Sequence, residues 1–137
     1  MTTEVHVARA VGTIAPGSPN HRVAIRANGH DLVADEPPSN GGADAGPSPF
    51  GLLLSGLVSC TAITLRMNAA HNGWDLTSIE VDARYDVAEG GRRTIMRTIN
   101  VPAGCAAEQR QKLAEIAEKT PVTRAVREGT PIVTAFV

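Results

Sequence analysis

Aromatic residues are scarce in this chain. They make up 3% of its 137 residues, so the stacked side chains that commonly bind nucleic-acid bases are missing. The formal net charge is −1, which gives no electrostatic reason to expect nucleic acid or an anionic membrane surface as a partner. The four histidines are scattered, and neither a CxxC nor an HExxH pattern occurs, so we expect neither a metal nor another cofactor.

The start of the chain lacks the basic residues followed by an apolar run that a secretory signal requires. We therefore predict a cytoplasmic protein. Cysteine is also rare, with only Cys60 and Cys105 present. A cytosolic protein of this size does not need a disulfide, and sequence alone cannot show that two cysteines meet, so we interpret both as free thiols.

The most distinctive stretch that is present runs over residues 47–73. No charged residue occurs between Phe50 and Leu65, so a helix made from this stretch would be apolar on nearly every face. Such a helix is predicted to lie inside the molecule, and Cys60 near its middle is predicted to be a buried thiol. A small buried core residue is then one interpretation of Cys60, and a reactive thiol is the other.

Local signals mark both ends of this helix. Ser48 can accept a hydrogen bond from a first-turn amide, Pro49 suits the first helical position, and Gly73 is a natural stop. A membrane span is the competing interpretation. It is disfavoured because the uncharged run is shorter than the roughly 18 apolar residues of a typical span, and because no second hydrophobic segment exists.

The remaining pattern predicts one α+β domain over residues 1–137. Its parts are a three-stranded β-meander over residues 1–34, a flexible connection over 35–46, the central helix over 47–73, and a ββααβ segment over 74–137 that ends in a strand from Ile132 to Val137. An antiparallel sheet of about six strands with one fully apolar helix is awkward for so small a monomer. A homodimer that buries the central helices against each other removes the difficulty.

Most of the chain after about residue 22 resembles the OsmC/Ohr family of thiol-dependent hydroperoxide reductases, in particular its OsmC-like branch. The resemblance rests on Asp35-Glu36-Pro37, Gly41-Gly42, Gly46-Pro47-Ser48-Pro49-Phe50, Leu52-Leu53-Leu54, Ser59-Cys60-Thr61-Ala62, Thr64-Leu65-Arg66-Met67, Gly73-Trp74, the stretch 109–119 and Pro121-Val122. It implies an intertwined homodimer with the cysteine helices at its centre and the active sites at the subunit interface.

The resemblance also implies a mechanism. Cys60 takes the position of the family's reactive thiolate, which attacks a hydroperoxide and becomes a sulfenic acid. Because burial disfavours a thiolate, the family places beside it an arginine from the N-terminal strands. Arg26 is our choice for that arginine and Arg22 the next, since both project from one face of the second strand. A solvated strand arginine is the alternative interpretation.

Two positions depart from the family pattern. The second cysteine, which forms a disulfide with the first, is replaced by Thr120, and the glutamate expected just after Pro49 is replaced by Phe50-Gly51. A threonine hydroxyl cannot resolve a sulfenic acid. Cys105 is a possible substitute, although the predicted helix between it and Thr120 separates the two by roughly 22 Å.

Two functions follow from the resemblance. The first is a one-cysteine organic hydroperoxide reductase, in which an external thiol or dithiol reduces Cys60 and the substrate sits in an apolar pocket formed by Phe50 and Leu53. The alternative is a diverged dimer that binds a small apolar ligand or acts as a redox sensor. The missing cysteine and glutamate favour the second function, and the retained Cys60 favours the first.

Overall fold

A computed structural model describes residues 3–137, so Met1 and Thr2 of the predicted meander lie outside the described residues. Its elements in chain order are β1 (Ala10–Thr13), β2 (Val23–Ala27), β3 (His30–Ala34), a single 3-10 turn (Pro38–Asn40), α1 (Pro49–His71), β4 (Glu80–Val87), β5 (Arg93–Asn100), α2 (Ala107–Ala117) and α3 (Pro121–Glu128). Contacts divide the chain into a first unit that ends at Leu53 and a second unit that begins at Leu54.

The first unit contains the predicted antiparallel meander, in the order β1-β2-β3. Ala27 pairs with Ala10 on one side and with His30 on the other. The hairpin between β2 and β3 turns at Asn28 and Gly29, which both have positive φ, as a two-residue turn of type I′ requires. Strand β1 is shorter than the predicted Glu4–Ile14, because nothing covers the apolar side chains of residues 5 and 7, which are exposed.

Residues 35–46 were expected to be a flexible connection, but a buried carboxylate orders them. The Asp35 carboxylate accepts hydrogen bonds from the backbone N–H groups of Glu36 (2.8 Å), Ala43 (3.2 Å) and Ala45 (3.1 Å). The loop passes so close to its own backbone that a Cβ added at Gly42 would lie 1.9 Å from the carbonyl oxygen of Glu36. The expectation was wrong because Pro and Gly content reports the loss of regular structure and says nothing of such side-chain contacts.

Helix α1 begins and ends as the sequence predicts. The Ser48 Oγ accepts a hydrogen bond from the Gly51 N–H at 3.1 Å, and Pro49 is the first helical residue. At the other end Gly73 has a φ of 70°, and the N–H of Trp74 donates to the Ala69 carbonyl at 2.8 Å. This pairing satisfies a carbonyl that the last helical turn leaves without a partner.

In the single chain α1 is buried on one side only, and its burial by a partner chain stays a prediction. Its buried residues form one stripe at every fourth position, Leu57, Thr61, Leu65 and Ala69, while the rest of the helix is half-buried or exposed. Cys60 lies outside the stripe and is half-buried. The reason is that a single chain packs against only one side of the helix. Apolar side chains on the other sides therefore stay partly or fully exposed.

By length and composition alone, α1 is long and apolar enough to cross a membrane, and little of it is buried inside the single chain. Core helices of soluble proteins meet the same criteria, so this property does not identify a membrane protein.

The second unit packs α1 and α2 onto the antiparallel β4-β5 hairpin. Its core consists of Leu65 and Ala69 from α1, Leu76 from the following loop, and Leu113 and Ala117 from α2. The amphipathic helix predicted over 105–119 is therefore present as α2. The short last helix is present as α3, with Thr120 as its N-cap and Pro121 at its first position.

The α+β class is confirmed, but the predicted sheet of about six strands is not. The described residues form five strands in two separate sheets, of three and two strands. The predicted last strand, Ile132–Val137, forms no strand. Ile132 and Phe136 are 88% and 100% exposed, so the chain supplies neither the strand partner nor the packing surface that this alternating segment needs.

The Asp35 loop gives the first prediction. The hydrogen bond from Ala45 holds the pKa of Asp35 below its usual 3.8, against the opposing effect of burial and with the help of Glu36, Ala43 and the nearby Arg22. A carboxyl whose pKa is lower in the folded state stabilises the fold fully above its unfolded pKa, and that stabilisation is lost as pH falls through the folded value. Asp35→Asn is therefore expected to lower the melting temperature at pH 7 by on the order of 5 °C.

The difference between wild type and Asp35→Asn should shrink in scans below pH 3.8, where the native carboxyl also takes up a proton. The control is Asp31→Asn, since the Asp31 side chain is 83% exposed and its ion pair with Arg26 contributes little. Equal melting temperatures of wild type and Asp35→Asn at pH 7 would contradict the role given to this carboxylate.

Candidate functional site

Cys60 lies in the middle of α1, on the side of the helix that the second unit leaves partly open. Ile63 and Met67, three and seven residues further on, share this side because helical neighbours recur at those spacings. They are 56% and 69% exposed. Cys60 is a free thiol and does not belong to the buried core of the second unit. Cys60 is half-buried in the single chain.

The residue after Cys60 is held by a buried guanidinium. Arg97 on β5 donates from Nη1 to the hydroxyls of Thr61 (3.0 Å) and Thr123 (2.7 Å), and from Nη2 to the Ala117 carbonyl (3.0 Å). Its side chain is 11% exposed. The Thr61 hydroxyl in turn donates to the Leu57 carbonyl at 2.7 Å. One side chain thus joins α1, β5, α2 and α3 through polar contacts, and it fixes the helical turn that carries the thiol.

Sequence reasoning missed Arg97, although a signal was present. Strand β5 alternates, so Arg97 shares a face with Ile95 and Ile99, which are half-buried. A charged residue among inward-facing isoleucines must find acceptors inside the protein. The alternation therefore predicts that Arg97 makes a buried polar contact. It does not identify the acceptors, because Thr61 and Thr123 lie 36 and 26 residues away on other elements.

Thr120, which the resemblance places at the position of a second cysteine, belongs to the same network. Its hydroxyl lies 2.6 Å from the Thr123 hydroxyl and caps α3 by accepting from the Thr123 N–H at 3.4 Å. Thr120 is fully buried. The Thr120 hydroxyl therefore stabilises the start of α3 and contributes to the Arg97 network.

Cys105 is the other free thiol. It precedes α2, is half-buried, and packs at the edge of the core beside the residues of α2. Its N–H donates to the Pro102 carbonyl at 2.9 Å. No disulfide joins it to Cys60.

The other predicted site residues belong to the first unit. Arg26 on β2 donates from Nη1 to the Asp31 carboxylate on β3 at 2.7 Å, and both side chains are largely exposed. Arg22 contributes to the lowered pKa of Asp35 through its positive charge. Phe50 and Leu53 lie near the start of α1 and are exposed. The placement of these four residues beside Cys60 stays a prediction.

Within residues 3–137 no cluster of three histidine, cysteine or acidic side chains could hold a metal ion. The geometry that is present provides a half-buried free thiol, a helical turn beside it that Arg97 holds in place, and exposed apolar side chains along the same helix. Of these groups, the free thiol is the one whose chemistry is nucleophilic and redox-active.

A family model described as OsmC-like protein matches residues 41–135. A search of curated proteins gives no match.

Three solved structures share the fold. An organic hydroperoxide resistance protein OsmC from Legionella pneumophila is 17% identical, with 91% of this chain and 92% of that chain covered and a TM-score of 0.67. An organic hydroperoxide resistance protein from Elizabethkingia anophelis is 19% identical, with 92% and 91% covered and a TM-score of 0.66. The organic hydroperoxide resistance protein OhrB of Bacillus subtilis is 21% identical, with 89% and 91% covered and a TM-score of 0.61. At these identities the likeness shows the fold.

The Arg97 network generates the second prediction. Arg97→Met should lower the free energy of unfolding by about 2 kcal/mol or more, because it leaves two hydroxyls and a carbonyl without their charged donor. Thr120→Val should cost about 1 kcal/mol through the lost helix cap. Urea unfolding of both single variants and the double variant measures the two effects and their coupling.

Because Thr123 contacts both residues, the two losses should not add, and a coupling of at least about 0.5 kcal/mol is expected. Thr98→Val is the matched control, since Thr98 is an exposed residue on the same strand. Strict additivity of Arg97→Met and Thr120→Val would show that they do not act as one network.

Proposed function

Because the chain belongs to the OsmC-like family, we propose that it is a thiol-dependent organic hydroperoxide reductase in which Cys60 is the reacting thiol. The observation that carries the proposal is the placement of Cys60. A cysteine retained only for packing would lie in the buried stripe of α1, whereas Cys60 lies beside that stripe and is half-buried. Three proteins with the same fold are named organic hydroperoxide resistance proteins, which supports the substrate class.

The proposed chemistry has two stages. The Cys60 thiolate attacks the distal oxygen of the hydroperoxide, the O–O bond breaks, and the alkoxide takes up a proton to leave as an alcohol. Cys60 becomes a sulfenic acid. An external thiol then displaces water to give a mixed disulfide, and a second thiol attacks the external sulfur, which releases Cys60 and the oxidised reductant.

Reduction by an external thiol or dithiol is supported by the surroundings of Thr120. The position that carries the second cysteine in the family holds a buried hydroxyl that caps a helix and contacts Thr123. Cys105 is packed at the edge of the core and is not paired with Cys60. A one-cysteine cycle accounts for both facts.

The substrate is proposed to contact the apolar side chains of Phe50 and Leu53, and Arg26 is proposed to favour the thiolate, with Arg22 as the other choice. Both arginines have acidic neighbours in the first unit: Asp31 for Arg26, and Asp35 for Arg22. The ion pair of Arg26 lies at the surface, where it contributes little and breaks at small cost.

A second candidate function is a small-ligand binder or redox sensor that has lost turnover. The first turn of α1 contains no acidic residue, and Arg26 is already paired with Asp31. Both observations favour a diverged site. The two functions differ in one measurable property, which is repeated consumption of peroxide.

We further propose a cytoplasmic homodimer. Apolar side chains are exposed along α1 and at the C-terminus, where Ile132, Val133 and Phe136 are almost fully accessible in the single chain. Neighbouring exposed apolar residues of this kind indicate surfaces that another chain covers. Intertwining would also give the alternating C-terminal segment a strand to pair with.

The third prediction tests the reaction. After a slight excess of cumene hydroperoxide, intact-mass spectrometry should show one added oxygen, or an adduct of an added thiol, on the wild-type chain, because the sulfenic acid persists without an internal partner. A dithiol should reverse the change. With excess dithiol the wild type should consume peroxide over many turnovers.

Cys60→Ser should show neither the mass change nor turnover, and Cys105→Ser should show both. Arg26→Ala is expected to slow peroxide consumption by roughly tenfold, because the thiolate loses a stabilising cation. Undiminished turnover in Cys60→Ser would remove the proposal, whereas a single oxidation of Cys60 without turnover would support the sensor.

The fourth prediction tests the homodimer. Light scattering coupled to size exclusion should give twice the chain mass for wild type, and the double variant Ile63→Glu/Met67→Glu should elute as a monomer, because two carboxylates would be buried without partners. Gln111→Glu on the exposed face of α2 is the matched control and should remain dimeric. A monomeric wild type at micromolar concentration would contradict the dimer.

A further inference from the structure

The second unit contains a cavity of about 660 Å³, which is within the range of ~300–1,000 Å³ typical of small-molecule sites. It lies between β5, α3 and the buried stripe of α1. We call it the arginine cavity, because three guanidinium groups line it, those of Arg93, Arg97 and Arg127. Cys60 is not among its lining residues.

Positive charge exceeds negative charge in the lining, because Glu118 is its single carboxylate. Arg127 forms an ion pair with this carboxylate and also donates to the Glu118 carbonyl at 3.0 Å. Arg97 lies 3.7 Å from the same carboxylate, beyond hydrogen-bond distance, and is held by neutral acceptors instead. Glu118 is therefore shared by two arginines and leaves the cavity cationic.

Arg93 is the one of these three arginines whose side chain has no partner within the described residues. It is the first residue of β5, and the alternation of the strand places it on the same face as Ile95 and Arg97. Within residues 3–137 its side chain makes no ion pair and no hydrogen bond. A planar guanidinium without a partner at the rim of a cavity matches a carboxylate, which it can bind through two parallel hydrogen bonds.

Apolar side chains form the other part of the lining, beside the hydroxyl-bearing side chains of Tyr85, Thr94 and Thr123. Leu57 of α1, Ile95 of β5 and Val126 of α3 face the cavity from three different elements. Such a wall favours an aliphatic or aromatic group and gives a simple inorganic anion nothing to bury. We propose that the arginine cavity binds an amphipathic carboxylate, with the carboxylate on Arg93 and the apolar chain against Leu57, Ile95 and Val126.

This inference goes beyond peroxide reduction and does not depend on it. The binding experiment therefore uses the Cys60→Ser protein, in which the reacting thiol is absent. Isothermal titration with octanoate should give saturable binding that weakens as salt is raised. Acetate has the carboxylate without the alkyl chain, and 1-octanol has the alkyl chain without the carboxylate. Each should therefore bind at least roughly tenfold more weakly than octanoate.

Arg93→Gln, made in the Cys60→Ser background, is expected to weaken octanoate binding by roughly tenfold. Arg92→Gln is the matched control, because Arg92 is the exposed neighbouring arginine and does not line the cavity. It should leave the affinity unchanged. Both positions are exposed, so neither substitution is expected to disturb folding, which circular dichroism checks.

Three outcomes would overturn the assignment: no saturable octanoate binding, equal affinity for octanoate and 1-octanol, or equal losses in Arg92→Gln and Arg93→Gln. The first would show that the cavity is no ligand site, the second that charge plays no part in recognition, and the third that only the general basicity of this strand matters.

Discussion

A buried guanidinium organises the second unit. Arg97 is charged and 11% exposed, so the fold must supply acceptors for it, and they come from α1, from the end of α2 and from α3. Apolar packing fixes the distance between these elements, but the directional contacts to Thr61, Ala117 and Thr123 fix their rotation and register. The helical turn that carries Cys60 and the wall of the arginine cavity therefore depend on the same side chain.

In the single chain, helix α1 has one side packed into the core and another side left open. The stripe from Leu57 to Ala69 packs within the second unit, whereas the side with Cys60, Ile63 and Met67 stays open in the single chain. An apolar helix with only one packed side leaves the other available for a partner chain, a substrate, or both. This division explains why Cys60, in the most hydrophobic segment of the sequence, is only half-buried in the single chain.

Local sequence signals predicted local structure well, because the interactions that they report involve only a few neighbouring residues. The Asn28-Gly29 turn, the Ser48 cap and the Gly73 stop each depend on the conformation of one or two residues, and all three are present. Features that need distant partners were not predictable. The acceptors of Arg97 lie on other elements, and the strand expected from Ile132 needs an edge that one chain does not provide. The position of Cys60 followed from a family motif, whereas its partial exposure followed only from the packing of α1.

The exchange of a cysteine for Thr120 is easier to understand within this network. A hydroxyl caps α3 and contacts Thr123 with a short hydrogen bond, and Thr123 in turn accepts from Arg97. A thiol caps a helix poorly and forms weak hydrogen bonds, so a cysteine here would weaken the contacts that hold Thr61 beside Cys60. Thr120 therefore contributes to the network that holds the helical turn of Cys60. The proposed one-cysteine cycle takes its reducing equivalents from an external thiol, so it requires Cys60 to be held in place and requires no second sulfur nearby.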